Sequence, residues 1–173
     1  MSVLLYGSSS APAGTYERAV HDGFVPWVIK RIPHMARVGA ASFGPAIVFV
    51  VASSPEPRAR ILAAVVFHGF HAGYRTMEVS MASDTPLWAK PRHISTMLRY
   101  VFDTAGCKRL QAVVPRRGAG PRRTNRFLKH IGFKFEGIGR CGFGTNDAVM
   151  LSMLREDAAR WLPQEGASDA RAA

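Results

Sequence analysis

Apolar residues recur along the 173-residue chain with a period that changes several times, and each change marks an element. Val3–Tyr6 is a short apolar run of strand character. From Tyr16 to Ile32 the spacing becomes helical, with Val20, Phe24, Trp27, Val28 and Ile32 on one face. Pro33 ends this helix, and Gly23 with Pro26 marks a point at which it can divide in two. Pro45–Ser53 and Arg60–Phe70 read as strands joined by the polar, proline-bearing connection SSPEPRAR, a hairpin signal. A third strand over Thr76–Ala82 leads into a loop, Ser83–Pro91. The spacing then predicts a helix over Arg92–Ala105 that buries Ile94, Met97, Leu98, Val101 and Phe102 and stops at Gly106.

Arg109–Val114 is a further strand. Arg122–Ile131 is a short helix with Phe127, Leu128 and Ile131 on one side, closed by Gly132. Phe135–Cys141 and Ala148–Leu154 are the last strands, joined through the turn-forming GFGTND. Strands outnumber helices. Several antiparallel candidates come first, then a strand–helix–strand–helix run, then a final hairpin. That order predicts an α+β sheet with a crossover embedded in it, since a doubly wound sheet would need helices between all its strands. Residues 1–162 are expected to form one domain. Two small-residue stretches have little to bury and are expected to be poorly ordered, Gly7–Gly14 and the tail Pro163–Ala173.

Composition narrows the picture modestly. A hydrophobic fraction of 47% with 20% charged residues is that of an ordinary globular protein. No run approaches the ~20 apolar residues of a membrane span, and no basic, signal-like start precedes Val3, so the expected compartment is the cytoplasm. Cys107 and Cys141 are too few for a disulfide framework and read as free thiols. Lys and Arg number 23 against 12 Asp and Glu, a formal charge of +11 that favours polyanionic partners: nucleic acid, acidic protein or a phosphate-rich cofactor. His68 and His71, three apart on a strand, point to opposite faces and complete no metal site.

Three blocks carry a family likeness. NRFLKHIGFKFEG (Asn125–Gly137) runs from an apolar helix through Gly-Phe into a strand with Glu-Gly, and GTNDAVMLSMLRED (Gly144–Asp157) sets an aspartate before an apolar run. Upstream lies MEVSMASDTPLWAKPRHISTMLRYVF (Met77–Phe102). In this order they resemble the closing, final-hairpin and cofactor segments of the GNAT superfamily of acyl-CoA N-acyltransferases, nearest the ribosomal-protein N-terminal acetyltransferases and their bacterial and phage relatives. The likeness covers about half the chain. It implies a mixed, mostly antiparallel sheet of about seven strands flanked by helices, with a central strand–helix–strand unit for the cofactor. The implied reaction is transfer of an acetyl group from acetyl-CoA to an amine, a small molecule or a protein N-terminus, by direct attack in a ternary complex.

Under that likeness, Val79, Ser80, Met81 and Ala82 would follow the pantetheine arm, and the Met81 N–H would polarise the thioester carbonyl. Trp88, Lys90, Arg92, His93, Ile94 and Ser95 would form the pyrophosphate site at a helix start, where unpaired N–H groups and the dipole favour an anion. Trp88 is equally suited to wall the site or to pack in the core. Arg123 and Phe127 would complete the cofactor contacts. The loop RRGAGPRR (Arg116–Arg123) has the charge to hold the 3′-phosphate of CoA, to grip an RNA backbone, or simply to face solvent. Glu78 is the candidate general base, though its strand face can equally be solvated. The sequence departs from the family where a tyrosine acid is usual, since Leu128 stands there, and WAKPRHIS lacks the usual glycines. Two other readings stay open: an acetyltransferase acting on an RNA-bound amine, and a non-catalytic relative that binds nucleic acid. A monomer or homodimer is expected, with no membrane partner.

Overall fold

The computed structural model describes residues 2–32, 35, 39–56 and 58–162, with the side chains of Ala40 and Ala41 outside the description. The expected helix stop at Pro33 and the expected disordered tail Pro163–Ala173 lie outside these residues. The chain forms two compact units, dividing between His93 and Ile94.

In the first unit, β1 (Val3–Ser8) is followed by α1 (Tyr16–Arg31), β2 (Ala46–Ala52), β3 (Ile61–His71) and β4 (Thr76–Ser83). The strands pair antiparallel in chain order, with Leu5 opposite Val50, Val48 opposite Val66, and Ala64 opposite Ala82. Alternation then places Leu5, Val48, Val50, Ala64, Val66 and Ala82 on one sheet face, where α1 buries Val20, Val25, Val28 and Ile29 against them. β1 extends through Gly7 and Ser8, both buried, so the stretch expected to be loose from Gly7 begins as strand. At Gly7 the backbone of α1 comes so near that a Cβ would stand 2.5 Å from the His21 nitrogen and 2.9 Å from the Glu17 oxygen.

α1 starts at Thr15, whose Oγ1 accepts from the Arg18 N–H, and it runs unbroken through Gly23 and Pro26. The expected division does not occur. An interior proline costs about 3 kcal/mol. Here its ring faces solvent, and the buried side chains on both sides of it, Val25, Val28 and Ile29, each contribute roughly 1.5–3 kcal/mol. Burial outweighs the missing hydrogen bond.

α2 starts at Pro91 and extends to Arg99. Beyond it the expected α-helix widens into a π-turn over Tyr100–Thr104, closed by the Ala105 N–H donating to the Tyr100 carbonyl at 2.8 Å. Ile94, Met97, Leu98, Val101 and Phe102 are all buried, as the spacing predicts.

The second unit continues with β5 (Arg109–Pro115), α3 (Ala119–Ile131), β6 (Lys134–Phe143), β7 (Asn146–Leu154) and a 3₁₀ segment (Glu156–Trp161). Its strand order is β5–β7–β6, antiparallel throughout. α3 opens three residues earlier than expected, so Ala119, Gly120 and Pro121 belong to the helix rather than to the loop before it. Gly132 ends α3 with φ at +120°, and a Cβ there would stand 2.9 Å from the Asp157 carbonyl oxygen. Four strands in one unit and three in the other, paired antiparallel within each and flanked by helices, make the expected α+β fold. Among the described residues no helix is long and apolar enough to cross a membrane. Cys107 is buried and Cys141 exposed, both free.

Candidate active site

Strand alternation sends Glu78, Ser80 and Ala82 of β4 to the face that α1 covers, and Met77, Val79 and Met81 to the other. The register puts Glu78 opposite His68 and Ser80 opposite Val66. His68 Nε2 lies 3.0 Å from Ser80 Oγ, and its Nδ1 lies 4.0 Å from Glu78 Oε2. The Phe43 ring packs on the imidazole at 4.5 Å between centroids. The two partners differ in exposure: 12% for the His68 side chain and 52% for Glu78. Burial pushes the His68 pKa from 6.5 down to about 4, so the ring is neutral at physiological pH. The contact with Glu78 is therefore a carboxylate beside a neutral imidazole, not an ion pair.

The expected alternation between His68 and His71 is interrupted, because the β3–β4 register shifts between them. His71 stacks on Tyr74 at 4.6 Å, beyond a register shift at Gly69, and no metal-binding group occurs among the described residues. What that spacing alone missed was the partner of His68. The hairpin register could have shown it, since pairing β3 with β4 sets His68 beside Glu78 and diagonally against Ser80.

The segment after β4 is tightly self-bonded. Thr85 Oγ1 accepts from the Leu87 N–H at 3.3 Å, opening a short 3₁₀ turn over Pro86–Trp88. The Ala89 N–H donates to the Pro86 carbonyl, the Lys90 N–H to Trp88 and the His93 N–H to Lys90. Fewer backbone donors remain than the sequence predicts for an open phosphate loop. Trp88 is buried, which favours the core role of its two expected ones. The His93 ring is also buried. The tautomer with its proton on Nδ1 satisfies both contacts, donating to the Trp88 carbonyl at 3.0 Å and accepting from Arg92 Nε at 3.3 Å. His93 was expected to touch phosphate. Instead both its ring and its N–H are committed to holding the turn. Arg92 also donates to the Ser2 carbonyl.

Lys90 stays exposed, and the first turn of α2 holds no acid. Pro91 costs this helix little, because an N–H in the first turn has no intrahelical acceptor in any case. An uncompensated cation beside an acid-free helix start is a donor set that suits a phosphate. At the end of α1, Arg31 stacks on Trp27 at 3.7 Å and pairs with Asp84 at 3.0 Å, fixing the start of this segment against the helix.

In the second unit, Ile94 is buried and the Ser95 hydroxyl donates to the Trp161 carbonyl, so neither side chain is turned outward. Arg123 is exposed on α3 and Phe127 is half-buried. Leu128, in the position where a tyrosine is usual, is buried and offers no proton. Arg116 pairs with Asp147 at 3.1 Å, and the Arg117 N–H donates to Asn146 Oδ1 at 3.2 Å, tying the start of the arginine-rich segment to the start of β7.

Solved structures share the fold. The spermidine/spermine N-acetyltransferase SpeG of Vibrio cholerae, in mutant form, aligns over 91% of this chain and 98% of its own with a TM-score of 0.60 at 12% identity. A protein of T. thermophilus, provisionally assigned as an acetyltransferase, aligns over 83% of this chain and 87% of its own with a TM-score of 0.58 at 19% identity. The fold is that of the GNAT acetyltransferases. Neither a protein-family model nor a curated protein sequence matches the chain. At these identities the GNAT fold is what the likeness carries, and the chemistry has to be argued from the side chains.

Proposed function

We propose that the chain is an acetyl-CoA-dependent N-acetyltransferase. The observation that carries this reading is the β4–turn–α2 segment on a GNAT fold: a strand, a turn locked by Trp88 and His93, and a helix that starts without an acid beside the exposed Lys90. In the reading, Lys90 and the first turn of α2 hold the diphosphate, with Arg92 braced behind them. Val79–Ala82 run beside the pantetheine arm. Acetyl-CoA supplies an already activated acyl thioester, so most of the rate comes from proximity.

The chain's own part is to strip a proton from the amine and to orient it. Glu78 is the proton acceptor, because its carboxylate is half exposed on the sheet face that α1 covers. His68 and Ser80 position it: the neutral ring, fixed through Ser80, stands beside the carboxylate without neutralising it. The Met81 N–H is the proposed donor to the developing oxyanion. The SpeG structures belong to an enzyme of polyamines, whereas a chain of formal charge +11 repels a polycation. An acceptor of low charge suits this surface better. With the likeness of Asn125–Gly137 and Gly144–Asp157 to ribosomal-protein acetyltransferases, a peptide N-terminus is the preferred acceptor.

Thermal melting with acetyl-CoA tests the cofactor site. A ligand at a hundredfold over its Kd adds about 2.7 kcal/mol of stability. Thiol release with a panel of peptide N-termini and small amines then tests transfer. Lys90→Glu should abolish the stabilisation. Absence of any shift with the wild-type protein at millimolar acetyl-CoA would sink the reading and leave a non-catalytic binding protein of the same fold.

A further inference from the structure

The positive charge is unevenly distributed. From Ile94 to Leu162 there are thirteen Lys and Arg against five Asp and Glu, whereas Ser2–His93 holds nine against five. Most acids of the second unit are already engaged: Asp103 with Arg155, Glu136 with Arg109, Asp147 with Arg116 and Asp157 with Lys134. None lies on α3, whose sequence AGPRRTNRFLKHI carries four cations. Arg122, Arg126 and Lys129 are exposed, and among the described residues none has an acidic partner. At about 100° per residue they fall within a sector of roughly 60°, opposite the buried Ile131, with Arg126 about 6 Å along the axis from Arg122. Next to this row Phe135 is 52% exposed, and Lys129 Nζ stands 5.8 Å from its ring centroid.

We propose that this face of α3 is a docking surface for single-stranded nucleic acid. A row of like cations with no acid among them is unfavourable unless a polyanion covers it. The regular i, i+4, i+7 spacing suits the even charge of a sugar–phosphate backbone better than the scattered carboxylates of an acidic protein. An exposed ring beside the row gives an unpaired base a stacking surface, which a duplex with its bases paired inside cannot use. Arg123 lies about 60° round the helix from Arg126 and Phe127 about 100° from it, both outside the sector of the row. The inference does not depend on acetyl transfer.

The test is fluorescence anisotropy of the full chain with a short labelled single-stranded RNA across a salt series. A duplex RNA and polyglutamate serve as comparisons. Each neutralised phosphate contributes about 0.7 to the slope of log affinity against log salt, so the triple variant Arg122→Gln, Arg126→Gln, Lys129→Gln should flatten it by about 2. Phe135→Ala should weaken single-strand binding about tenfold and leave duplex binding unchanged. Thermal melting and acetyl-CoA binding of the same variants report folding and the cofactor site separately. Absence of RNA binding at low salt, a slope the triple variant does not change, or equal affinity for polyglutamate would each overturn the proposal.

Discussion

His68 makes the protein sensitive to mild acid. Its ring is largely covered, packed against Phe43 and bonded to Ser80, and this partial burial takes its pKa from 6.5 to about 4. In the unfolded chain the ring takes a proton near pH 6.5, while in the folded chain it refuses one until near pH 4. Between these values the unfolded state binds more protons, so stability falls as the pH falls, and below the lower value the loss is complete. A difference of that size is worth at most about 3 kcal/mol at 1.36 kcal/mol per unit, and about 2 kcal/mol of it develops between pH 7 and pH 5.

The opposing influence is Glu78, 4.0 Å away, but its carboxylate is 52% exposed and its attraction is screened. If that attraction prevailed, the ring would gain a proton on folding and the protein would become more stable toward pH 5. The assay is urea unfolding followed by tryptophan fluorescence at pH 7, 6 and 5, comparing the wild type with His68→Gln, which can still bond Ser80. The wild type should lose about 2 kcal/mol more than the variant over that range. Equal losses in the two proteins would refute the reasoning, as would a proton NMR titration of His68 with a midpoint above 6.5.

Other outcomes follow from single positions. Glu78→Gln should lower kcat about a hundredfold with little change in KM, measured by thiol release once an acceptor is known. Gly132→Ala should destabilise by about 3 kcal/mol in urea unfolding, because φ is +120° and a Cβ would meet the Asp157 carbonyl at 2.9 Å. Gly7→Ala should cost a similar amount (about 3 kcal/mol) by forcing α1 off β1, and it should expose Val20 and Val28 to faster hydrogen exchange around the helix. The hydrogen bonds from Arg109 and then from Ser152 hold Glu136 well below its usual 4.5, at about 2. Wild type should therefore lose stability as pH falls from about 4.5 through 2, a loss that Glu136→Gln does not show in acid-unfolding curves.

Much of the fold was legible in the chain. The Val-rich runs of β2 and β3, the hairpin between them, the buried face of α2 and the Gly132 stop of α3 follow from side-chain period and local backbone preference, which act within a few residues. Leu128 in place of an acid, the surplus of arginine and the free cysteines were equally plain. Decisions that weigh one distant contact against another were not. Pro26 argued locally for a break in α1, and only burial on the sheet reversed it. Nothing local in Ser83–Pro91 announced that the Trp88 carbonyl and His93 would bond the turn from within.

The sequence by itself determined the elements, their order and the kind of fold, because these depend on short-range pattern. Only the tertiary structure decided that His68 meets Ser80 and Glu78, that the ring and N–H of His93 bond within the turn, and that α3 turns an acid-free basic row toward solvent. The physical reason is that register and packing set the distance and the exposure of a polar group. Those two quantities, rather than residue type, decide its charge and its availability to a partner.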